Sequence, residues 1–399
     1  MRMRITAGIV VCMALLLTAP AAALAQQVAK IGATMSQTGK YADFGIEALQ
    51  GLELFISDVN GRGGASGARV ELVVYDDQSD RNTAARLYEK LIVEDKVDFL
   101  VGPYGTPLTL AATEVAERYD MPIVVTGSGL DIFERGMKNV FGLYTPAPEI
   151  MRPVLDLAKE KGLSRIAMVY ADNEAPTSMA EGVRSKVAGY GMELVLDESY
   201  NRNVMQADKL AGLISRLAAA QPDVAIFGSY IDDSVGLLKA AKAAGFAPDI
   251  MVFSYGPALY EFGAMVGIEN AEGVMATSQW KRGQHMPGAF DFSFRFKKLT
   301  GRNASYPAAG AYASGQVIEA AARLAGAAGK RRDKDEIRNQ LRTMSFTSLL
   351  GPYRVDDTGL QTGKPIFIIQ WQEGRRRLVY PDELARYGLI YPFPDWASR

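Results

Sequence analysis

The 399-residue chain is poor in cysteine and histidine, and it carries no surplus of charge. Its one cysteine, Cys12, lies in an N-terminal apolar run, and its one histidine, His285, follows the polar stretch Lys281-Arg282-Gly283-Gln284. A single cysteine excludes an internal disulfide, and beyond Cys12 there is no thiol nucleophile and no thiolate for a metal. A lone histidine in polar surroundings reads as a solvated surface residue, not a general base. Lysine and arginine number 44 against 45 aspartates and glutamates, a formal charge of −1. With no basic excess to neutralise phosphates, nucleic acid is not an expected partner. Long apolar runs are missing as well: after residues 9–17, no uncharged stretch is long enough to span a membrane.

What is present starts with an address. Met1-Arg2-Met3-Arg4 is a positive n-region, residues 9–17 are an apolar h-region, and Ala23-Leu24-Ala25 reads as a cleavage site. Residues 1–25 are thus expected to be a signal peptide, with an exported, periplasmic chain beginning near Gln26. Cys12 lies upstream of the cleavage site and is no candidate for lipid attachment. The remaining length suggests two domains.

The most informative stretch is 96–129. An apolar run at 97–101 has strand length, Gly102-Pro103-Tyr104-Gly105 stops it, and a helical pattern starts at Thr106. Thr106 suits an N-cap and Pro107 the first helical position. Leu108, Ala111, Ala112, Val115 and Ala116 then recur at helical spacing, and a second strand at 123–126 ends in Gly127-Ser128-Gly129. Strand, helix and strand in this order make a βαβ unit with parallel strands, whose ligands sit off the carboxyl ends. Those ends are Tyr104-Gly105-Thr106 and Gly127-Ser128-Gly129. Uncharged loops beside a helix start suit a carboxylate or another polar acceptor.

The same rhythm fills the chain. Strands are expected at 28–34, 70–75, 164–170, 193–196, 224–227 and 250–253, with helices at 44–59, 80–92, 179–190, 207–219 and 234–244. On the first helix Ile46, Leu49, Leu52, Phe55, Ile56 and Val59 share one face. The repetition of two βα series predicts two lobes of one layered type.

Enzymatic signals are weak. Gly61-Arg62-Gly63-Gly64-Ala65-Ser66-Gly67 follows a helix and precedes a strand, the wrong order for a phosphate loop, and reads as a helix C-cap and turn. Gly127-Ser128-Gly129 lacks the full nucleophile-elbow pattern. Asp76-Asp77 and Asp232-Asp233 are neighbours on the chain, so they are not ready metal clamps, and helix capping is the expected role of both. No enzyme activity, metal or cofactor is expected. By contrast, Tyr104, Tyr144, Tyr230, Tyr255 and Trp280 each lie at or just after a strand end, which predicts an aromatic-lined cleft.

With these features in place, the chain resembles the leucine/isoleucine/valine-type periplasmic binding proteins, receptors of ABC importers. The carriers are Met35-Ser36…Gly39…Tyr41…Gly45, then Asp58-Val59-Asn60-Gly61…Gly63-Gly64, Tyr75-Asp76-Asp77 and Val101-Gly102-Pro103. Further on come Ala240-Ala241-Lys242-Ala243-Ala244-Gly245, Glu272-Gly273-Val274, Gly351-Pro352-Tyr353-Arg354-Val355-Asp356 and Ile368-Ile369-Gln370-Trp371-Gln372-Glu373-Gly374. Their order over nearly the whole mature chain carries the resemblance. It implies an α/β type I periplasmic binding fold, two doubly wound parallel-sheet lobes joined by three hinge crossovers near 143–146, 276–280 and 349–352. The N-terminal lobe would hold 26–145 and 277–349, the C-terminal lobe 146–276 and 350–399. It further implies hinge closure on a small ligand, delivery to an ABC permease in the inner membrane and a monomeric receptor.

From the family's site, Thr106 would hold a ligand carboxylate with backbone N–H groups, Ser128 would meet the head group, and Tyr230 would close from the far lobe. Three positions depart from the family: Leu130 replaces a threonine, Tyr255 an acidic residue that pairs an ammonium, and Ala175 a capping aromatic. A buried ammonium would then need Glu174, Asp232 or Asp131. The expected ligand is a branched-chain or related amino acid. The alternatives are a non-amino-acid ligand, such as an aromatic carboxylate or amide, and a ligand-sensing role for a membrane signalling partner.

Overall fold

The computed structural model describes residues 28–65, 67–202, 206–282 and 286–398. The expected signal peptide, Cys12, Ser66 and His285 lie outside the described residues. No described helix is long and apolar enough to cross a membrane.

Strands and helices alternate from the start: β1 (Val28–Thr34), α1 (Ala42–Gly61), β2 (Arg69–Tyr75), α2 (Arg81–Val93), β3 (Phe99–Val101), α3 (Thr106–Arg118), β4 (Ile123–Val125) and β5 (Val140–Gly142). Their strands form a parallel sheet in the order β2-β1-β3-β4-β5. The chain then crosses to a second series, α4 (Arg152–Glu160), β6 (Arg165–Ala171), α5 (Glu174–Val187), β7 (Glu193–Tyr200), α6 (Ala207–Ala219) and β8 (Val224–Gly228). It continues through α7 (Ile231–Ala243), β9 (Ile250–Phe253), α8 (Glu261–Val266), α9 (Ile268–Ala271) and β10 (Met275–Ser278). Next, α10 (Ala289–Thr300), α11 (Tyr306–Ala327) and α12 (Lys334–Thr343) return to the first lobe, where α11 packs along α1. A hairpin of β11 (Phe346–Ser348) and β12 (Gly351–Tyr353) precedes β13 (Phe367–Gln372) and β14 (Arg375–Tyr380). The second sheet runs β14-β13-β10-β9-β8-β6-β7, parallel except for β13 and β14, which add antiparallel at one edge.

The parallel strands are apolar runs because both faces are covered: β8, β9 and β10 are buried at every residue. On α1 the buried face is Phe44, Ala48, Leu52, Phe55 and Val59, while Ile46 is exposed, so the apolar stripe is rotated from the expected one. Both aspartate pairs also differ from expectation. Asp77 is buried and accepts from Thr34 Oγ1 (2.8 Å), Ser36 Oγ (2.5 Å) and Ser79 N (3.0 Å), tying the loops after β1 and β2 together. Asp80 is the cap of α2, accepting from Thr83 N at 2.7 Å. Asp233 is buried against Arg202, and Asp232 is exposed.

Three chain crossings join the lobes. The first follows β5 at 143–146, as expected. The second starts after Ser278, because 276–278 belong to β10 of the second sheet. The third falls at 361–366, later than expected, since the chain after β12 stays on the first lobe: Gly142 N donates to Gly359 O at 2.8 Å. One side chain fastens all three. Gln279 Nε2 donates to Thr145 O (3.0 Å), and Gln279 Oε1 accepts from Thr145 N (3.0 Å) and Lys364 Nζ (2.9 Å). Thr145 Oγ1 also donates to Lys364 O at 3.1 Å. All three residues are buried, and burial pushes the Lys364 amine down to about 7. Gln279→Ala would leave buried donors and an acceptor without partners. It should lower unfolding stability by about 3 kcal/mol, read as a fall in the urea midpoint at unchanged slope.

Candidate ligand-binding cleft

In each lobe the strand order reverses at one point, between β1 and β3 in the first sheet and between β6 and β8 in the second. The loops leaving those strands diverge there and open a crevice at the carboxyl ends. The two crevices face each other across a narrow cleft. Its walls are Tyr104, Gly105 and Thr106 after β3, Thr126, Gly127 and Ser128 after β4, and Tyr144 after β5. The far lobe adds Ala175 at the start of α5, Tyr230 after β8, Tyr255 after β9 and Gln279 after β10, while Tyr306 comes from the start of α11.

Five tyrosines dominate the lining. Tyr230 and Tyr255 stack with centroids 5.4 Å apart, and Tyr104 stacks on Phe44 at 4.4 Å. The Tyr104 and Tyr306 hydroxyls are 2.6 Å apart, and Tyr144 donates to Tyr306 O at 2.9 Å. That approach is possible because Gly310 faces Tyr144; a Cβ there would lie 2.0 Å from the Tyr144 hydroxyl. Burial pushes the phenols of Tyr104, Tyr144, Tyr230 and Tyr306 well above their ordinary value, so they stay neutral. The Tyr255 hydroxyl is buried without a hydrogen-bond partner.

Among the described residues no charged side chain lines the cleft. Its positive potential comes from backbone: α3, α5 and α7 all begin at it, with Thr106, Ala175 and Tyr230 in their first turns or caps. Gly105 turns into α3 at φ 93°, a conformation that suits glycine, and so serves as the N-cap in place of Thr106. Freed from capping, Thr106 Oγ1 accepts from Gly129 N at 3.2 Å, which leaves its hydroxyl proton to donate elsewhere. Behind Tyr230 the Arg202 guanidinium sits 4.6 Å from the ring centroid, paired with Asp233 at 3.4 Å.

Of the residues expected at the site, Tyr104, Gly105, Thr106, Ser128, Tyr144, Tyr230 and Tyr255 are brought together. Gly129 supports Thr106 from behind. Glu174 lies outside the lining, close enough to Asp131 and Tyr41 to raise both their pKa values after burial. Asp131 Oδ1 is buried without a partner. Two residues are not there: Asp232 is exposed, on a helix turn directed outward, and Trp280 is buried against Phe292 at 5.6 Å because the second crossing carries it away. Tyr306 and Gln279 were not expected. Tyr306 opens a helix whose alanine-rich sequence gives no sign of a cleft, and Gln279 is one ordinary residue beside a more conspicuous tryptophan.

A family model described as periplasmic binding protein matches residues 28–376. The chain belongs to the periplasmic binding protein family. Among its relatives, Leu/Ile/Val-binding protein homolog 7 of Brucella abortus is 26% identical, the match covering 89% of this chain and 92% of that one. Homolog 8 of Brucella suis is also 26% identical, over 96% and 97%. The fold is that of the branched-chain amino acid transporter substrate binding protein LivJ from Streptococcus pneumoniae, solved with isoleucine (TM-score 0.78, 21% identity, 89% of this chain and 100% of that one). It is also that of a solute binding protein of an R. palustris ABC transporter solved with benzoate (TM-score 0.74, 20% identity, 92% and 98%).

Glu47 of α1 supports the cleft from outside. It is buried, accepts from Ser305 N at 2.5 Å and so fixes the start of α11 that presents Tyr306. Burial, then the nearby Glu261, raises its pKa from 4.5 to about 8. The folded chain therefore keeps a proton that the unfolded chain releases, and stability falls as pH rises from 4.5 towards 8. Chemical denaturation at pH 5 and pH 8 should show this loss, about 3 kcal/mol or more, and Glu47→Gln should remove most of it.

Proposed function

We propose that this protein is the periplasmic receptor of an ABC importer and that its ligand is a small carboxylate with an aromatic or apolar body. The observation that carries the reading is the lining: five tyrosines, three helix starts and no charged side chain. The helix starts favour an anion, and the Thr106 hydroxyl donates to it beside the Ser128 loop. Tyr104, Tyr144, Tyr230 and Tyr255 would enclose an apolar or aromatic body. An ammonium in the same space would face no carboxylate in contact with it, at a cost of several kcal/mol in effective terms. The likeness to a benzoate-bound receptor agrees with this ligand class. An exported chain with residues 1–25 removed, hinge closure about the three crossings, delivery to a membrane permease and a monomeric state complete the proposal.

One observation favours an amino acid as the second reading. Asp131 Oδ1 is buried without a partner next to Thr106 and Gly129, with Glu174 nearby. A ligand ammonium reaching past Ser128 would find those two carboxylates. The relatives named as Leu/Ile/Val-binding homologues agree with that reading.

A thermal-shift panel decides between them. The chain from Gln26 onward, unfolded and refolded to strip bound ligand, is tested with benzoate and substituted benzoates, phenylacetate, small amides, leucine, isoleucine and valine. A ligand at 100 times its dissociation constant adds about 2.7 kcal/mol. We expect aromatic carboxylates to raise the melting temperature and the aliphatic amino acids to leave it unchanged. The reverse pattern would overturn the lead reading in favour of the second. With whichever ligand binds, Thr106→Val should weaken affinity by about 1–3 kcal/mol by calorimetry, and unchanged affinity would remove Thr106 from the site.

A further inference from the structure

A second, solvent-open concavity lies where the second crossing, α10 and β14 meet. Lys281 and Arg282 from the crossing, Lys297 from α10, and Arg375, Arg376 and Arg377 from β14 converge on it. Among the described residues no carboxylate lines it.

Arg376 is the residue that needs explaining. It is 4% exposed, its guanidinium lies 3.4 Å from the Tyr260 ring centroid, and its Nε is buried without a partner. It makes no ion pair with any described residue; Glu47 is the carboxyl group within its electrostatic reach. Arg377 stacks over Tyr387 at 4.1 Å, and among the described residues it pairs with Glu373 at 3.6 Å, whose side chain is 84% exposed. A guanidinium taken out of water without an anion is costly, and stacking on an aromatic face offsets only part of that cost. Packing like charges around it adds repulsion. Burial, then Arg376, Arg282 and Arg377, push the Lys281 amine down to about 7. A chain with a net charge of −1 has acidic side chains enough to neutralise such a cluster, and here they are elsewhere.

We propose that this groove is a second ligand site, for a compact anion of phosphate type that carries two or more negative charges. A monocarboxylate would neutralise only one of the cations that line the groove. A pyrophosphate or a phosphate ester presents several oxygens to guanidinium forks and lysine ammoniums together. Phe290 of α10 also lines the groove and is 71% exposed, placed to contact an apolar body attached to the phosphate. The chemistry thus fits a soluble phosphate ester or a phospholipid headgroup.

The test uses the mature full-length chain. Inorganic pyrophosphate is titrated by calorimetry, and binding to cardiolipin vesicles, whose headgroup carries two phosphates, and to phosphatidylcholine vesicles is followed by co-sedimentation. Arg282 and Arg375 are exposed, so Arg282→Gln/Arg375→Gln should fold normally; Lys209→Gln/Lys239→Gln removes the same charge from α6 and α7. We expect saturable binding of at least one anionic probe, weakened tenfold or more by the first double variant and little by the second. Pyrophosphate binding assigns a soluble ligand; binding to cardiolipin vesicles alone assigns a headgroup. No binding of either probe, or equal loss in both double variants, would overturn the proposal. The melting-temperature shift produced by the tyrosine-cleft ligand should be the same in all these variants, which separates this result from failure of the first site.

Discussion

The lobes are held in register by a single amide. Gln279 joins the first and third crossings through its side chain and supplies the second through its backbone, and it also lines the cleft. An amide suits this role because it offers a donor and an acceptor without charge. Thr145 takes both, and the Lys364 amine shares the acceptor. A charged group here would have to be paired in a fully buried site. The lysine that does stand here is pushed towards its neutral form by burial, which lessens the charge the node has to hold. The hinge and the cleft therefore share one polar centre.

Across the cleft mouth, direct contacts between the lobes are few and weak. Leu130 N reaches Ser178 Oγ at 3.4 Å, and Arg302 pairs with Glu261 at 3.2 Å with both side chains well exposed. An exposed ion pair contributes about 0–1 kcal/mol. The stronger cross-lobe contact is aromatic, with Tyr41 and Phe44 of the first lobe at 5.8 and 6.2 Å from Tyr230 of the second. Such packing is not directional enough to hold one inter-lobe angle by itself. The interactions that would fix the angle are those with material between the walls, which is a physical reason for a ligand and the closed arrangement to favour each other.

Much of this was legible in the sequence. The strands at 28–34 and 250–253 match their expected bounds because β-branched apolar runs of strand length stop at turn residues. Seven of the residues that face the cleft could be named because a parallel sheet puts its ligand at strand ends, whatever the side chain there. The limits are just as physical. Trp280 and Asp232 sit next to strand ends too, but the direction of a side chain after the strand depends on where the chain goes next, and periodicity carries no information about that. The third crossing falls later than the sequence suggests because residues 354–361 form no strand run, and what holds them to the first lobe is long-range: Gly142 N to Gly359 O, Arg342 to Asp357 O, and Leu360 against the apolar cluster of that lobe. Tyr306 was missed because the rows of alanine that follow it report helix packing alone.

The charge balance carries the same lesson at larger scale. A total of −1 describes the average and conceals two different local designs. In the tyrosine cleft, anion attraction comes from backbone dipoles at helix starts, which cannot titrate and need no counter-ion. In the groove beside β14 it comes from side chains, among which burial first and then the neighbouring arginines depress the Lys281 amine. Dipoles are weak and short-ranged, so the first arrangement can close around a singly charged ligand and release it again without stranding a buried charge. Clustered guanidiniums act over about a Debye length, near 8 Å at physiological ionic strength, and weaken with added salt. The two sites should therefore differ in salt response: the cleft, enclosed and free of side-chain charge, little affected, and the groove strongly so. That contrast follows from where the charge resides, in the peptide groups of three helices or on side chains gathered from the second crossing, α10 and β14, and not from how much charge the chain carries.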